Sequence, residues 1–294
     1  MSNPVLGVHL SLGPRPRMTL EAAAAQGARC AQIFASSPGA WKPPVLRELR
    51  LSEIAEGRRK HRIEPLVVHA IYLINLASED RRLVERSIDA LAATLEAGAA
   101  MGARAVITHI GSHAGRGFDA VAGQVAGTLT EIAARAPGDV RLLLENSAGA
   151  GGIIGSSLEE LAELLARAGD HPRLGVALDT AHLCAAGWDF AADSNAAGRL
   201  ADQVERQIGL QRLEILHAND SKVPPGSRKD RHANVGEGFI GLDGFRSLLA
   251  ETRLCRIPWV LETPDLDIRL DEAQRWISLR RLLGLADEMV AAAS

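Results

Sequence analysis

VRLLLENSAG, residues 140–149, is one of eight short runs rich in Val, Ile and Leu that decide the fold. Its apolar part is too continuous for a half-exposed strand and too short for a typical helix, which indicates a buried parallel strand. The other runs have the same character. They are VLGVHLS from Val5, CAQIFAS from Cys30, PLVVHA from Pro65, AVITHIG from Ala105, RLGVALDTAH from Arg173, LEILHAND from Leu213 and IPWVLETP from Ile257.

Stretches of helical length, dominated by Ala, Leu, Glu and Arg, separate the runs, and residues 79–101 form the longest example. Ser157 followed by Glu160 predicts a capping box, and Asp243 predicts the start of another helix. Strand and helix alternate about eight times, and no Gly/Ser-rich or Pro-rich linker divides the chain. This pattern predicts an α/β protein with a single (β/α)8 TIM barrel as its one domain, residues 1–294. An open doubly wound sheet is the alternative topology.

Size and composition agree with one barrel, which typically needs about 250 of the 294 residues. The chain is 47% hydrophobic and 23% charged, so a disordered protein is excluded. A net charge of −3 disfavours non-specific binding to nucleic acid or acidic membranes. The three widely spaced cysteines, without a CxxC pair, indicate reduced thiols. Because neither a signal-like start nor a membrane-length apolar run is present, we expect a cytoplasmic protein without membrane association. The sequence leaves the oligomeric state open, with a monomer as the default expectation.

Nine residues of metal-ligand type fall at or just past the ends of six runs. They are His69, His109, Glu145, Asp179, His182, His217, Asp230, His232 and Glu262. The C-terminal strand ends of a barrel surround one pocket, so these side chains should converge there. One such residue alone is more often a hydrogen-bonded side chain or a helix cap, as Asp179 could be. Nine together would bury uncompensated charge at a cost of several kcal/mol per group, and a metal cluster relieves that cost.

All nine donors offer N or O, which suits Zn²⁺, Mn²⁺ or Fe in a catalytic site. Nine ligands are too many for one ion and suit two or three. His182 shares a side with Asp179 if a helix begins there, and Asp230 and His232 fall on one face of an extended loop. Such clusters lower the pKa of a bound water to about 7 and stabilise attacking and leaving oxygens. The expected reaction is phosphodiester hydrolysis.

Longer motifs contain these residues: HAIYLIN from His69, LENSAGAGG from Leu144, DTAHLCAAGWD from Asp179, HANDSK from His217, DRHANVGEGFIG from Asp230 and ETP from Glu262. In order and spacing they resemble the endonuclease IV family of apurinic/apyrimidinic (AP) endonucleases, across nearly the whole chain. The resemblance implies a TIM barrel with three zinc ions per chain. It also implies hydrolysis of the phosphodiester 5′ of an abasic site in double-stranded DNA, leaving a 3′-hydroxyl and a 5′-deoxyribose phosphate.

The resemblance further implies a ligand group for each ion. One zinc would be bound by His69, His109 and Glu145. Glu145 would bridge to the second zinc, which would also be bound by Asp179, His217 and Glu262. The third zinc would be bound by His182, Asp230 and His232. Glu262 would also orient the attacking hydroxide, so Glu262 and Glu145 are the predicted catalytic residues.

Tyr72 and Leu73 follow the first ligand, where the family inserts side chains into the DNA stack. Apolar wedges of this kind hold a kinked duplex open, whereas ordinary packing is the alternative explanation. One departure from the family is the loop after the second strand, where Pro38 and Gly39 stand in place of a basic, Arg-containing stretch. Lys42 is the cation that would compensate.

Four basic residues near the proposed third zinc are the predicted phosphate contacts, although a charged run is often only a solvated loop. They are Lys222, Arg228, Lys229 and Arg231. Four further residues are candidates for orienting the ligands. They are His9, Asn75, Asn146 and Asn219.

Two other functions compete with the endonuclease. A sugar isomerase or epimerase with one divalent metal would need only Glu145, Asp179, His217 and Glu262, which leaves the other five candidates without a role. A protein that binds damaged DNA without cleaving it is the second, and the intact set of predicted ligands argues against it.

Overall fold

Eight parallel strands close into a barrel in the computed structural model, which describes residues 4–293. The barrel strands are β1 (Leu6–Leu10), β2 (Cys30–Phe34), β3 (Leu66–His69), β4 (Ala105–Thr108), β5 (Arg141–Glu145), β6 (Leu174–Asp179), β7 (Leu213–His217) and β10 (Trp259–Leu261). Each pairs with its neighbour in sequence, and β10 closes the barrel by pairing with both β7 and β1. The predicted (β/α)8 barrel is confirmed, and every run forms a strand.

A two-stranded antiparallel hairpin, β8 (Asp220–Ser221) and β9 (His232–Ala233), lies in the connection after β7. The helices are α1 (Pro16–Ala25), α2 (Glu48–His61), α3 (Arg81–Ala100), α4 (Phe118–Arg135), α5 (Leu158–Arg167), α6 (Thr180–Ala186), α7 (Ala196–Gln207), α8 (Gly241–Ala250), α9 (Thr252–Cys255) and α10 (Ile277–Ala293). Across the stretch that the structure describes, none has the length and apolar character needed to cross a bilayer.

The two predicted helix starts are each partly wrong. Ser157 caps α5 by accepting a hydrogen bond from Glu160 N. The Glu160 carboxylate, however, accepts from the N–H groups of Gly155 and Ser156, so the reciprocal half of the capping box is not formed. Helix α8 begins at Gly241, two residues before Asp243, whose carboxylate pairs with Arg246 instead of capping the helix.

Alternation along the strands directs the functional side chains. A small inner core fills the barrel, and its members include Val67, Ile107, Leu143, Ala177, Ile215 and Val260. Successive side chains of a strand point to opposite faces, so the residue two positions later faces the same interior. Those later residues are His69, His109, Glu145, Asp179, His217 and Glu262. They therefore project into the barrel at its C-terminal mouth.

At the opposite end of the barrel, a buried carboxylate forms ion pairs with two arginines. Glu214, near the start of β7, lies 2.9 Å from Arg104 Nε and 2.8 Å from an Arg141 guanidinium nitrogen. Its side chain is buried, whereas the two arginines reach solvent. The N-terminal end of the barrel is thus held by charge pairing, away from the mouth.

Candidate metal centre

The strand-end residues meet in three groups, each able to hold a metal ion. Within each group, the ligand atoms all lie within 4.8 Å of one another. The groups are His69, His109 and Glu145; Glu145, Asp179, His217 and Glu262; and Asp179, His182 and His232. The first two coincide with groups that the family resemblance implies, and the third contains Asp179 where that resemblance places Asp230.

Glu145 joins the first two groups. Its Oε2 lies 3.1 Å from His69 Nε2 and 3.6 Å from His109 Nε2, while its Oε1 lies 3.0 Å from His217 Nδ1. The carboxylate is almost completely buried at the end of β5. The two oxygens therefore face different groups, as a bridging carboxylate requires.

Asp230 lies between the two imidazoles of the third group. Its Oδ2 is 3.2 Å from His182 Nε2, and its Oδ1 is 3.2 Å from His232 Nε2. The Asp230 side chain is 54% exposed, so this group is open to solvent. Asp179 serves in two ways: its Oδ1 caps α6 by accepting from His182 N, and its Oδ2 lies 3.5 Å from His232 Nε2. The cap explanation and the ligand explanation for Asp179 are thus compatible.

Hydrogen bonds on the outer side of three imidazoles orient them. One ring nitrogen of each is bonded to an oxygen outside the ligand groups, which leaves the other nitrogen facing the cluster. The partners are Ala70 O for His69 Nδ1 at 2.7 Å, Asn146 O for His182 Nδ1 at 3.0 Å and Gln32 Oε1 for His217 Nε2 at 2.8 Å. Imidazoles held in this way are prepared to bind a cation.

The cluster has a surplus of negative charge. Burial works to lower the pKa of His182, but Asp179 and other carboxylates outweigh it and raise that pKa to about 10. Burial also works to lower the pKa of His217 and of His232, but neighbouring carboxylates outweigh it and raise both pKa values to about 9. The metal-free cluster therefore retains protons where a cation would bind, and N and O donors of this kind fit divalent metals.

Gln32 is a functional candidate that the sequence analysis missed. It is buried on β2, and its amide contacts both Glu262 and His217. A polar residue inside the apolar run CAQIFAS was the available signal. Asn219 donates to Asp179 Oδ2 at 2.6 Å and to Glu262 Oε2 at 3.2 Å.

The other candidates for orienting the ligands have mixed outcomes. Asn146 accepts from Asp179 N at 2.6 Å, and His9 lies 3.4 Å from Glu262. Asn75 does not orient a ligand, because its side-chain oxygen accepts from the backbone N–H groups of Ala77, in the loop after β3, and Ser112, in the loop after β4.

A cavity of about 610 Å³ opens beside the cluster. Tyr72 and Leu73 form part of its wall together with metal-ligand candidates. Tyr72 is 57% exposed, and its ring packs edge-on against Phe34 and His69 at centroid distances of 5.4 and 5.6 Å. Leu73 is partly buried against the core. An exposed aromatic ring, held in place by packing against two neighbouring rings, thus lies at the mouth.

The four predicted phosphate contacts, Lys222, Arg228, Lys229 and Arg231, are exposed in the connection that carries β8 and β9. Among the residues that the structure covers, none of the four forms an ion pair with a carboxylate. The Pro38–Gly39 loop is tied to the mouth, since Tyr72 N donates to Pro38 O at 2.9 Å. Lys42 is exposed nearby.

The chain is similar to known proteins in sequence. A family model for the xylose isomerase-like TIM barrel matches residues 20–281. The probable endonuclease 4 of Solibacter usitatus is 39% identical over 265 residues, which are 88% of this chain and 90% of that protein. The probable endonuclease 4 of Natranaerobius thermophilus is 38% identical over 277 residues, 94% of this chain and 96% of that protein.

Solved structures share the fold. The crystal structure of endonuclease IV from Thermus thermophilus matches with a TM-score of 0.83 and 36% identity, covering 97% of this chain and 100% of that chain. A D-tagatose 3-epimerase-like protein matches with a TM-score of 0.70 and 21% identity, covering 97% and 99%. At that lower identity the likeness concerns the fold alone.

Proposed function

Since the chain belongs to the endonuclease IV family of xylose isomerase-like TIM barrels, we propose that it is a DNA repair endonuclease that hydrolyses the phosphodiester 5′ of an abasic site. Its substrate would be double-stranded DNA, and its products a 3′-hydroxyl and a 5′-deoxyribose phosphate. The observation that carries the proposal is Glu145, whose two oxygens face different ligand groups. A bridged multi-metal cluster suits displacement at phosphorus.

The cofactor in this proposal is three Zn²⁺ per chain, with Mn²⁺ or Fe as alternatives at one or more positions. The residues that would hold them are His69, His109 and Glu145; Glu145, Asp179, His217 and Glu262; and His182, Asp230 and His232, with Asp179 beside the last group. When bound, such cations lower the pKa of an attacking water and neutralise charge on phosphate oxygens.

Glu262 is the residue that would orient the attacking water. Its Oε1 accepts from Gln32 Nε2 at 2.5 Å and its Oε2 from Asn219 Nδ2 at 3.2 Å, so the plane of the carboxylate is fixed. Burial works to raise the pKa of Glu262, but His217 and other imidazoles lower it below its ordinary value. The side chain is therefore ionised at neutral pH and would accept a hydrogen bond from the attacking water, which orients it.

The surface around the mouth supports DNA as the partner. The exposed Tyr72 ring, with Leu73 beside it, has the position of a wedge that would hold an opened base step. The adjoining cavity of about 610 Å³ has the size of a small-molecule site and would receive an extrahelical nucleotide. The unpaired cations of the 222–231 loop would hold phosphates through salt-sensitive contacts.

Incision of a duplex containing one abasic site, with elemental analysis of the same preparation, tests this function. We expect a single cut 5′ of the site, about three metals per chain, and no cut in an undamaged duplex of the same sequence. One metal per chain together with turnover of a ketose would instead favour the isomerase. Tight binding to the damaged duplex without any cut would favour a damage-binding protein.

A further inference from the structure

A second cavity, of about 720 Å³, adjoins the metal centre and has no role in the function proposed above. It shares Tyr72 and Glu262 with the cavity that contains the metal ligands. His9 of β1 lines this second cavity together with Ser11 and Phe34, and it does not line the first. His9 thus lies beside Glu262 on the wall of the second cavity, 3.4 Å from its carboxylate.

Gln32 determines which nitrogen of His9 carries the proton. An ionised carboxylate only accepts hydrogen bonds, so the Gln32 atom 2.5 Å from Glu262 Oε1 must be its donor, Nε2. The second hydrogen of Gln32 Nε2 goes to His9 Nδ1 at 2.8 Å. Because Nδ1 accepts, the proton of the neutral imidazole is on Nε2.

The Nε2–H group of His9 is an oriented donor without a partner. Over residues 4–293 no acceptor lies within hydrogen-bond distance of it, and it is not among the buried polar atoms that lack a bond. The ring plane is held by Phe34, with centroids 4.5 Å apart at 55°. An oriented, accessible N–H beside the proposed catalytic carboxylate is suited to contact substrate.

The surroundings indicate the chemical class of that contact. Ser11 is an exposed residue on the same cavity wall and offers a hydroxyl group. Arg269 adds a guanidinium that is 86% exposed, although Asp267 pairs with it and neutralises part of its charge. Imidazole N–H, hydroxyl and guanidinium groups are the donors that proteins use for phosphate oxygens.

We propose that His9 is a DNA-contacting residue whose Nε2–H donates a hydrogen bond to the phosphate adjacent to the scissile one on the damaged strand. The inference rests on the endonuclease function proposed above. A strand whose scissile phosphate lies on the cluster beside Glu262 continues past that residue, and the second cavity is directly there.

Two substitutions of His9 distinguish the effect of its Nε2–H donor from the effect of the hydrogen bond between its Nδ1 and Gln32. His9→Asn keeps an acceptor near the position of Nδ1 and removes the Nε2–H group. His9→Gln places an amide N–H near the position of Nε2. Each variant is assayed on abasic duplexes that carry native phosphates or one neutral methylphosphonate, immediately 5′ or immediately 3′ of the scissile phosphate.

We expect His9→Asn to lower kcat/KM on the native duplex by about 10- to 100-fold, the effect of one hydrogen bond to a charged group. One of the two methylphosphonates should lower kcat/KM of the parent by a similar factor and have no further effect on His9→Asn. His9→Gln should recover most of the loss, and metal content should stay at the parent level in both variants.

If the effects of His9→Asn and of the methylphosphonate on kcat/KM multiply at both positions, His9 contacts neither phosphate and its proposed role is overturned. Cleavage by His9→Asn at the parent rate would also overturn it. Loss of metal from His9→Asn would show instead that His9 supports the cluster, which also overturns the DNA contact. Failure of the parent to cut any abasic duplex would refute the endonuclease itself, so the two failures are distinguishable.

Discussion

Glu262 illustrates how much of the chemistry depends on single residues. It lies one position past the last barrel strand, within the group that also contains Glu145, Asp179 and His217. Amide donors hold both of its oxygens, so an amide at this position would lose one of these hydrogen bonds, while the backbone N–H of residue 262 would still donate to Asn219 Oδ1 at 2.8 Å. Replacement by the isosteric amide therefore separates chemistry from DNA binding.

Glu262→Gln should lower kcat by about 10²- to 10⁴-fold, because a neutral amide cannot orient the attacking water as the ionised carboxylate does. Binding to an abasic duplex should stay near the parent level, since the DNA surface and the other ligand candidates remain. Single-turnover incision and a binding titration on the same preparation measure both effects. Glu131→Gln, on the exposed face of α4, is the matched control and should behave like the parent. Cleavage by Glu262→Gln at near the parent rate would remove Glu262 from the mechanism.

Glu214 shows the opposite case, a buried carboxylate that serves stability alone. Glu214→Gln should lower the free energy of unfolding by about 1–3 kcal/mol, since it weakens the charge-assisted hydrogen bond from Arg104 and removes the ion pair with Arg141 at the floor of the barrel. Chemical denaturation measures the loss, and kcat should not change. Glu163→Gln breaks only an exposed pair with Arg167 and should cost less than about 1 kcal/mol. Equal stability of the two variants would contradict this assignment.

Among the elements, the β8–β9 hairpin positions the most exposed ligand group. The buried Asp220 carboxylate accepts hydrogen bonds from the backbone N–H groups of the turn that follows β9. Its partners there include Gly236 at 2.9 Å, Gly238 at 3.0 Å and Ile240 at 2.9 Å. A Cβ at position 238 would approach within 2.5 Å of Asp220 Oδ1, so the turn closes tightly around the carboxylate. The hairpin in turn carries His232.

Asp220→Asn should therefore weaken metal binding at the His182, Asp230 and His232 group by about 10- to 100-fold, because an amide N–H would face the N–H groups of the turn. Elemental analysis after dialysis against a weak chelator should give about two metals per chain instead of three. Glu214→Gln is the matched control, since Glu214 is also a buried carboxylate but lies at the opposite end of the barrel. Full metal occupancy of Asp220→Asn under those conditions would refute the positioning role.

The sequence predicts elements better than it predicts contacts between them. The eight runs identified every barrel strand, because buried parallel strands need continuous apolar residues. The same strand ends placed His69, Glu145 and His217 at one mouth, since alternation and parallel pairing direct them there. The pairing of Gln32 with Glu262, 230 positions away, leaves no local trace in the sequence. The capping box at Ser157 is incomplete for a different reason, because the Glu160 carboxylate accepts from the N–H groups of Gly155 and Ser156 and not from that of Ser157.

The whole molecule separates stability from function along the barrel axis. Charge pairing closes the N-terminal end, whereas the mouth gathers carboxylates whose mutual repulsion is offset by protons on the imidazoles or by bound cations. The net charge is only −3, so attraction of DNA depends on where cations lie and not on the total. The exposed 222–231 loop and the proposed metal ions would make this one face locally positive.

Removal of metal should consequently make stability depend on pH in a definite direction. In the metal-free protein the pKa of His182 is about 10 and those of His217 and His232 are about 9, all above the value of about 6.5 in an unfolded chain. Groups whose pKa rises on folding stabilise the folded state fully below pH 6.5, and that contribution is lost as pH rises through 9 to 10. Bound cations replace the protons, so the loaded protein should not lose stability over this interval.

Thermal unfolding of chelator-treated and reloaded protein at pH 6.5, 8 and 9.5 measures this difference. We expect Tm of the metal-free protein to fall across the series while Tm of the loaded protein changes little, so that the gap widens with pH. Metal uptake at pH 7 should also release protons, because His182, His217 and His232 are protonated before binding. A metal-free Tm that is constant or rises between pH 6.5 and 9.5 would contradict the idea that imidazolium groups balance the carboxylates at the mouth.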